Sequence, residues 1–442
     1  MESLTMLVYA FVPAKSTSQR IQNKNMSILQ GERLFVKALK TLLKCKEIDK
    51  VFLDTDSEAM YNLIDYLPIE FMKRNKSLAN NQTDGHQLFM NEVRSFPQAD
   101  IYVQLLCTSP FIKPQTIDNA ILQIKQKHYD SAILMKKEKV YLWENNSPSY
   151  NKNHIPNSRD LPYTLTESMG LYISTKQSAL STNRRYGENP LLIFGELEEL
   201  IDINNPQDLA FAQTYAQGLK EQENKQLTLL KHLITSPMIS DCLDDLKKQN
   251  GCECGAVLNG WIQNIDNIKL LGRASTLRLR ALKDNEDFRG IYNALGSYEQ
   301  VCANDIIVVE NEMSEFAYFG DLNARMAIRA GACGAIVNGA TRDLAATKQL
   351  GFPVFAKSYN AADVRGRATL DSINKPVVIE GVTITPGDLI FIDECAMVVI
   401  YEPHIQEVLT KVSTTIGNEK NIANDILSNK NTQEILANRG DF

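Results

Sequence analysis

A cluster of cations and hydroxyl side chains near the amino terminus has the composition of a phosphate-binding loop. Lys15, Arg20 and Lys24 follow an apolar segment, and the hydroxyl residues between them are Ser16, Thr17 and Ser18. Small hydroxyl residues let backbone N–H groups approach phosphate oxygens, while cations neutralise a triphosphate and its departing pyrophosphate. The loop lacks the order Gly-x-x-x-x-Gly-Lys-Ser/Thr, so it is not a Walker P-loop. A solvated basic loop is the alternative interpretation.

A second group of polar residues, far downstream, has the composition of a carboxylate and metal site. Arg342 is suited to grip a substrate carboxylate, and Asp343 is suited to hold a hard metal ion. A local salt bridge or helix cap is the alternative for this Arg-Asp pair. A helix start upstream would bind the same carboxylate through its N–H groups, and its four candidate residues are Gly320, Asp321, Leu322 and Asn323.

The cysteine pattern favours neither a disulfide scaffold nor a zinc site. Eight cysteines in 442 residues fit a reducing, cytoplasmic compartment. Cys252 and Cys254 form a Cys-x-Cys pair without a second cysteine or histidine pair nearby in the sequence. A tetrahedral zinc site needs four ligands, so we do not expect zinc there.

The composition is that of a globular protein with more than one domain. A chain of 442 residues is too long for one ordinary core, and two or three domains are expected. The net charge of −6 argues against a nucleic-acid partner. No apolar run reaches the roughly 18 residues that span a bilayer, and the first residues lack a basic segment, so neither a membrane span nor a signal peptide is expected.

The first half alternates apolar runs with helical patterns, which predicts an α/β fold with a mainly parallel, doubly wound sheet. The predicted strands are 4–12, 51–53, 101–106, 131–134 and 170–173, and the predicted helices are 32–45, 57–66, 85–96 and 115–127. A further helix is predicted to begin at Pro206 and to run towards Gly218. The domain boundaries predicted from this pattern are 1–218 for the first domain and 219–232 for a helical connector.

The second half has shorter β segments and many turn signals, which predicts a compact α/β sandwich or swivelling barrel over 233–415. The predicted strands are 271–281, 305–310, 334–338, 377–384, 389–392 and 397–401, with helices at 321–331 and 343–350. A polar tail, 416–442, is predicted either to form a helix that packs on a neighbouring subunit or to be disordered.

Five motifs in the first half resemble, in order, the cytidylyltransferases that make CMP-sialic acid and related CMP-activated sugar acids. The resemblance covers roughly residues 5–218 and implies a Rossmann-like nucleotidyltransferase domain that binds CTP and Mg²⁺. The motifs are the loop from Lys15 to Asn25, Asp54-Thr55-Asp56-Ser57, Cys107-Thr108-Ser109-Pro110, Glu167-Ser168-Met169-Gly170-Leu171-Tyr172, and Ile201-Asp202-Ile203-Asn204.

This resemblance implies roles for particular residues. Lys15 stands where the family has its phosphate-binding Arg, Lys24 matches a Lys in the same loop, and Asp202 matches the first Asp of a metal-binding Asp-Ile-Asp. Arg74 is expected to contact base or sugar, with a surface basic cluster as the alternative. The positions expected to bind substrate are Ser18, Asn25, Arg74, Thr108 and Ser109.

Several residues depart from the family pattern. Gln19 replaces a usual Lys, beside Arg20, which could supply the charge, and Asn204 replaces the second Asp of the metal motif. Substrate phosphate and waters complete a Mg²⁺ shell, so the Asn204 change is expected to weaken metal binding without abolishing it. Departures on the acceptor side, which need not then bind a standard sialic acid, are Leu106, Cys107 and Ile112.

Residues 233–412 resemble the RraA-like superfamily, which includes a regulator of ribonuclease activity and 4-hydroxy-4-methyl-2-oxoglutarate aldolases. The resemblance implies Mg²⁺ or Mn²⁺ chemistry on a pyruvate enolate and assembly as trimers or hexamers. The aldolases carry an acidic residue shortly after the Arg-Asp pair, where this chain has Leu344-Ala345-Ala346-Thr347, and Asp321 is the candidate to compensate. The supporting segments are 235–241, 271–276, 351–356 and 381–388.

The sequence therefore predicts a cytoplasmic, homo-oligomeric enzyme that transfers CMP from CTP to the anomeric hydroxyl of a 2-keto sugar acid and releases pyrophosphate. Its RraA-like domain would act on 2-keto acids or drive oligomerisation. Two alternatives remain open. The first is a metal-dependent 2-keto acid lyase whose amino-terminal domain is inactive. The second is a non-catalytic regulator that binds protein partners.

Overall fold

The computed structural model describes residues 6–17, 21, 23–80 and 82–439, and the chain divides into two compact units, Met1–Tyr215 and Ala216–Phe442. Within the described residues, none of the helices combines the length and apolar character that crossing a bilayer requires. Each unit has its own sheet and its own buried cores.

The first unit is an α/β fold built on one seven-stranded sheet. Its helices are α1 (Leu34–Leu43), α2 (Glu58–Asn62), α3 (Gly85–Ser95), α4 (Pro114–Lys125) and α5 (Lys176–Thr182). Its strands are β1 (Val8–Pro13), β2 (Ile28–Leu29), β3 (Glu32–Arg33), β4 (Lys50–Thr55), β5 (Glu70–Lys73), β6 (Ile101–Leu105), β7 (Ser131–Glu138), β8 (Trp143–Glu144), β9 (Ser147–Pro148), β10 (Thr164–Thr175) and β11 (Pro190–Phe194).

The strand order of this sheet is β11-β7-β10-β6-β1-β4-β5. All neighbouring pairs are parallel except those of β10, which runs antiparallel to both β6 and β7. The predicted mainly parallel α/β sheet is therefore confirmed. Because β6, β1 and β4 are adjacent and parallel, their carboxyl ends lie together at one edge, where such sheets place their chemistry.

Stacked aromatic side chains form a core of the first unit. Phe11 of β1 and Phe52 of β4 are fully buried, with ring centroids 4.9 Å apart and planes 13° from parallel. Tyr102 of β6 is also buried, and its hydroxyl donates to the Phe96 carbonyl at 2.7 Å. These contacts fix the three central strands side by side, and hence the positions of the loops that follow them.

A single helix, α6 (Pro206–Lys231), crosses the boundary between the units and runs through the predicted connector without interruption. The remaining helices are α7 (Ser236–Asn250), α8 (Asp321–Ala330), α9 (Leu344–Gln349), α10 (Ile405–Leu427) and α11 (Thr432–Arg439). Short 3₁₀ helices lie at Lys24–Met26, Lys76–Leu78, Ser158–Asp160, Phe288–Glu299 and Glu402–His404.

The strands of the second unit are β12 (Gly255–Leu258), β13 (Ile262–Gln263), β14 (Leu270–Ala281), β15 (Ile306–Asn311), β16 (Gly334–Thr341), β17 (Val354–Tyr359), β18 (Ala368–Ile373), β19 (Val377–Ile379), β20 (Val382–Ile384), β21 (Leu389–Ile392) and β22 (Met397–Ile400). They form a nine-stranded mixed sheet of order β12-β22-β21-β14-β15-β16-β17-β13, with β18 paired to β14. Strands β14 to β17 are parallel, and β21 and β22 add antiparallel pairs.

Two predictions for the second half of the chain are wrong. The single strand predicted over 377–384 is wrong, because Glu380 and Gly381 have positive φ and turn the chain into the β19–β20 hairpin. The disordered alternative for the tail is wrong for residues 416–439, where α10 continues and α11 follows. The predicted start of the first strand, at Leu4, lies outside the described residues.

Gly272 and Gly417 provide a matched test of the second unit. A Cβ at position 272 would lie 2.2 Å from the Asn304 backbone oxygen, whereas one at position 417, on an exposed face of α10, would meet nothing within 4 Å. We expect Gly272→Ala to destabilise the unit by about 1–3 kcal/mol and Gly417→Ala to stabilise it by up to about 1 kcal/mol. Urea unfolding followed by circular dichroism measures both, and equal midpoints for the two variants would contradict the packing described here.

Candidate functional site

Hydrogen bonds to residues at the end of β4 hold the loop after β1 in place. The Ala14 N–H donates to the Asp54 backbone oxygen at 2.9 Å, and Ser16 donates to Asp56 from its N–H at 2.8 Å and its hydroxyl at 2.7 Å. Burial raises the pKa of the Asp56 carboxyl, but the two hydrogen bonds from Ser16, a backbone hydrogen bond within Asp56 and the nearby positive charge of Arg74 together hold that pKa below its ordinary value. An ionised Asp56 therefore anchors the loop at Ser16, one residue after Lys15.

A relay of hydrogen bonds joins this loop to the end of β6. The buried Asn25 donates from its side-chain nitrogen to the Lys15 carbonyl oxygen at 2.9 Å and accepts from the Cys107 thiol at 3.2 Å. Burial raises the pKa of Cys107 to about 12, so the thiol keeps the proton that it donates. Cys107, a departure from the family pattern, thus positions the backbone that carries Lys15.

The segment before α6 lies beside the loop after β1 and the end of β6. The Lys24 ammonium donates to the Ile203 carbonyl oxygen at 3.0 Å, and the Ile203 N–H donates to the Thr108 oxygen at 2.8 Å. The Asp202 carboxylate accepts from the Asn204 side-chain amide at 2.5 Å. Lys24, Thr108 and Asp202, which are widely separated in the sequence, therefore meet at the carboxyl ends of β1 and β6.

Asp202 suits a Mg²⁺ ion whose remaining ligands come from phosphate and water. Its side chain is half-buried, and Asn204 donates to only one of its two oxygens, so the substitution of the second Asp leaves the carboxylate held in place. Mg²⁺ usually binds one or two carboxylates together with substrate phosphates and several waters. The donor set of this segment fits that pattern.

Arg74 lies beneath the site rather than on the surface, so the surface-cluster alternative is wrong for this residue. Its guanidinium is 3% exposed and donates to both oxygens of Asp54, at 2.9 and 2.8 Å, and to the Asp54 carbonyl at 2.8 Å. A buried guanidinium with this bidentate partner is a fixed positive charge. Contact of Arg74 with base or sugar stays a prediction.

Glu92 extends this buried cluster. Gln104 donates to both Glu92 oxygens, at 3.1 and 2.9 Å, and Glu92 also shares a hydrogen bond with Asp54. Burial raises the pKa of the Glu92 carboxyl well above its ordinary value, and the Asp54 carboxylate raises it further. The raised pKa favours the protonated form of Glu92 over the ionised one. We name Asp54, Arg74, Glu92 and Gln104 the buried charge cluster.

A bulge in β10 explains the motif at Glu167 to Tyr172. The register of β10 against β7 shifts within this motif, and Met169 has a φ of 61°. The bulge brings Gly170 against Ser109, where a Cβ would lie 2.4 Å from the Ser109 hydroxyl oxygen. Only glycine permits this approach, so the motif sets the position of the buried Ser109 at the site's edge.

Two predicted residues of the phosphate loop, Ser18 and Arg20, lie outside the described residues, as does the departure at Gln19. The other predicted residues of the first unit are Lys15, Lys24, Asn25, Arg74, Thr108, Ser109 and Asp202, and the structure places them around the same strand ends. Sequence reasoning missed Asp56, Glu92 and Gln104 as site residues. The occurrence of Glu92 and Gln104 on the apolar faces of α3 and β6 could have indicated a buried polar cluster.

In the second unit, the predicted residues line one cavity of about 1180 Å³. It contains the start of α8, with Gly320, Asp321, Leu322 and Asn323, together with Arg342 and Asp343. Parallel bridges pair Phe319 with Thr341 and Ala317 with Asp363, which brings three separate segments to the cavity wall. The structure therefore assembles this constellation as the sequence grouped it.

Asp343 interacts with the helix start itself. One of its carboxylate oxygens accepts from the Asp321 N–H at 3.1 Å, and a Cβ at Gly320 would lie 2.5 Å from the same oxygen. Asp343 has a φ of 58°, a left-handed conformation that is uncommon outside glycine and asparagine. The Asp343 carboxylate, which the sequence assigned to a metal ion, thus accepts a hydrogen bond from the start of α8. That helix start is the group that the sequence assigned to a substrate carboxylate.

Asp363 is the acidic residue that sequence reasoning missed here. Its carboxylate lies 2.6 Å from Arg342 Nη2, while Asp343 lies 3.7 Å from Arg342 Nε. Asp321 pairs instead with Arg325 at 3.0 Å, and the Asn323 side chain donates to the Tyr318 carbonyl at 2.6 Å. Asp321, Asp343 and Asp363 all line the cavity, but their carboxylate oxygens do not come together as one group of metal ligands among the described residues.

Comparison with known proteins matches a segment of each unit to a family profile. Residues 9–184 match the family profile described as Cytidylyltransferase, and residues 236–399 match the one described as Aldolase/RraA. A protein of Halalkalibacterium halodurans named as a 4-hydroxy-4-methyl-2-oxoglutarate aldolase is 30% identical over 180 residues, which cover 40% of this chain and 78% of that protein.

Two proteins of Legionella pneumophila are also similar to this chain. One, named CMP-N,N'-diacetyllegionaminic acid synthase, is 26% identical over 231 residues, covering 47% of this chain and 95% of that protein. The other, named Protein DlpA, is 29% identical over 213 residues, covering 47% of this chain. This chain spans only 33% of the length of DlpA.

The raised pKa of Glu92 predicts a pH dependence of stability. Above the ordinary glutamate pKa the unfolded chain releases this proton while the folded chain keeps it, so the free energy of unfolding falls as pH rises towards the folded-state pKa. Glu92→Gln keeps the hydrogen-bonding shape but cannot titrate. We therefore expect the stability of the wild type relative to Glu92→Gln to decline with rising pH, by at most about 1.4 kcal/mol per pH unit.

Urea unfolding between about pH 5 and about pH 8 measures this difference. The exposed Glu144→Gln changes the same charge at the surface of the same unit and serves as the matched control. A wild-type curve parallel to that of Glu92→Gln across this range would show that Glu92 is ionised in the folded protein.

Proposed function

Because this chain belongs to the RraA-like family through residues 236–399, and because residues 9–184 match the cytidylyltransferase family profile, we propose that it activates a 2-keto sugar acid with CTP. The first unit would transfer CMP to the anomeric hydroxyl of the acid and release pyrophosphate. One observation carries the proposal: Lys15, Lys24, Asn25, Thr108 and Asp202 meet at the carboxyl ends of adjacent parallel strands.

The chain's own residues supply the charges that this transfer needs. Lys15 and Lys24 stabilise negative charge on the phosphate oxygens and on the departing pyrophosphate, because preorganised cations lower the energy of a charged transition state. Asn25 fixes the Lys15 backbone, and the Asp56–Ser16 contact fixes the loop at its next residue. The anomeric hydroxyl oxygen attacks the α-phosphorus, and the bond to pyrophosphate breaks in line with it.

Asp202 would hold the divalent ion of the reaction. Mg²⁺ or Mn²⁺, when bound, neutralises phosphate charge and orients the triphosphate. Asn204 keeps one oxygen of Asp202 in a hydrogen bond, which leaves the other for the ion. The acceptor is expected to differ from a standard sialic acid, since Leu106, Cys107 and Ile112 replace the family's residues on the acceptor side and the last two are buried.

The second unit would bind the carboxylate of a 2-keto acid. The supporting observation is the cavity in which Arg342 faces the start of α8, with Asp343 and Asp363 beside the guanidinium. A ligand carboxylate would compete with these two side chains for Arg342. Since ulosonic acids are 2-keto acids, both units would recognise the same end of one molecule.

Exposed apolar side chains around this cavity support homo-oligomerisation through the second unit, as a trimer or hexamer. Leu322 is 76% exposed, and other large apolar side chains that line the cavity are also exposed, namely Tyr292, Leu295 and Leu344. Clustered exposed apolar side chains mark an interaction surface. The occupant proposed here is a second copy of the chain.

Pyrophosphate release tests the transfer reaction. The full-length protein with CTP, Mg²⁺ and a panel of ulosonic acids should release pyrophosphate with at least one acid. Lys24→Met should lower kcat/KM by about 100-fold or more, because it removes a cation from the transition state. Lys127→Gln, which removes an exposed lysine elsewhere in the unit, should leave activity unchanged. Equal activity of Lys24→Met and the wild type would remove Lys24 from the mechanism.

Calorimetry tests the second unit. Full-length protein titrated with pyruvate and other 2-keto acids, in the presence of Mn²⁺ and without nucleotide, should bind at least one of them. Arg342→Gln should weaken that binding about tenfold or more, since a charge-assisted hydrogen bond is lost. Arg278→Gln removes an arginine outside the cavity and serves as the control. Pyruvate release from the bound acid would extend the activity to a lyase, and equal affinities of both variants would contradict the role of Arg342.

A further inference from the structure

Three metal-binding side chains from two distant segments of the second unit meet at one place. Cys252 and Cys254 lie between α7 and β12, and His404 lies between β22 and α10. Their two sulfurs and a ring nitrogen all lie within 4.8 Å of one another, the one such group of three among the described residues. We propose that Cys252, Cys254 and His404 bind a thiophilic divalent cation, Zn²⁺ above all, and we call them the Cys-Cys-His cluster.

The backbone positions the two cysteines without help from a ligand. Helix α7 ends at Gly251, whose φ of 68° and N–H bond to the Lys247 oxygen, 2.9 Å, turn the chain sharply. Strand β12 then begins at Gly255, where a Cβ would lie 2.2 Å from the Val399 backbone oxygen of β22. The Cys-x-Cys segment is therefore held between a helix cap and a close strand pair.

The pairing of β12 with β22 brings His404 to the cysteines. Gly255 pairs with Ile400, and one residue further along the Tyr401 N–H donates to the Cys254 oxygen at 3.0 Å. The His404 N–H then donates to the Tyr401 oxygen at 2.9 Å, which closes a 3₁₀ turn before α10. The His404 imidazole thus lies close to Cys252 and Cys254, although the three residues are far apart in the sequence.

The ligand set and its burial suit a soft cation. Thiolate sulfur and imidazole nitrogen are the groups that zinc prefers, and two Cys and one His with water in the fourth position is a known zinc arrangement. Cys254 is buried, Cys252 is exposed and the His404 side chain is 25% exposed. The cluster is therefore open on one side, where an ion can enter and water can complete its shell.

Polar groups behind the cluster are arranged to support its ligands. The Asn250 side-chain amide lies 3.9 Å from the Cys254 sulfur and donates to both oxygens of Glu407 at 3.1 Å. Glu407 in turn lies 3.7 Å from His404 Nδ1. An amide donor towards sulfur and a carboxylate beside the imidazole are the outer contacts that orient metal ligands.

A bound ion would join two segments of the second unit that are far apart in the sequence. It would cross-link the α7–β12 turn to the start of α10, and closing so long a loop stabilises the folded state. This site differs in chemistry from the carboxylate sites at Asp202 and Asp343, because sulfur and imidazole select zinc over Mg²⁺.

Metal analysis and cobalt spectroscopy of the full-length chain test the proposal. Protein purified without a histidine tag is reduced, loaded with ZnCl₂ and desalted, and its zinc is measured by mass spectrometry. We expect one zinc per chain, and on replacement by Co²⁺ a sulfur-to-cobalt charge-transfer band that oxygen ligands cannot produce. Cys252→Ser and His404→Gln should each lose the zinc and the band, and the apo protein should unfold at a lower temperature than the zinc form.

The exposed Cys395→Ser, a cysteine outside the cluster, is the matched control and should retain both signals. Cys252 is exposed, so its substitution leaves the core intact, and circular dichroism confirms folding. Equal zinc content in Cys252→Ser and wild type would overturn the proposal. Failure of the reduced wild type to bind zinc or cobalt would also overturn it. This holds even if Cys252 and Cys254 are isolated as a disulfide, because the protein is reduced before metal is added.

Discussion

The pairing of Arg74 with Asp54 is the interaction on which the first unit's site depends. Both side chains are almost completely buried, and breaking such a pair by removing one partner leaves an uncompensated charge that costs about 3–5 kcal/mol. The pair spans the ends of β4 and β5, and Glu92 and Gln104 tie it to α3 and β6. The loop that carries Lys15 is tied to this buried charge cluster by the hydrogen bond from the Ala14 N–H to the Asp54 backbone oxygen, so the position of that loop depends on the cluster.

The raised pKa of Glu92 makes this cluster compatible with burial. Burial is the largest cause of the raised pKa, and the Asp54 carboxylate raises it further, because ionising Glu92 would place two like charges side by side in the core. The buried charge cluster thus holds a fixed arrangement of charge beneath the strand ends at which Lys24 lies.

Much of the fold could be predicted from the sequence, because apolar periodicity marked the central strands and helices. Strands β1, β4 and β6 and helices α1, α3 and α4 lie close to their predicted positions. Short or exposed elements were missed, such as β5 and the hairpin β19–β20, since a few residues carry no clear period. In the site, motifs at strand ends predicted Lys24 and Asp202, but partners such as Asp363 and His404 are close only in space, and local spacing cannot reveal them.

The two units arrange charge differently. The first has a buried charge cluster beneath strand ends at which Lys24 lies, which would suit the proposed polyanionic nucleotide. The second pairs Arg342 with Asp363 at a cavity wall, so the proposed 2-keto acid would compete with that carboxylate for Arg342. Both arrangements are expected of proteins that recognise acidic small molecules, and both depend on backbone contacts that hold the charged side chains in place.

Nucleotide binding by the full-length chain tests the central claim most directly. Calorimetric titration with CTP should give a saturable heat in Mg²⁺, and chelation of the metal should weaken the affinity. ATP at the same concentration should bind far more weakly, because the site is proposed to recognise cytosine. Absence of heat with CTP and Mg²⁺, or equal binding of CTP and ATP, would contradict the account.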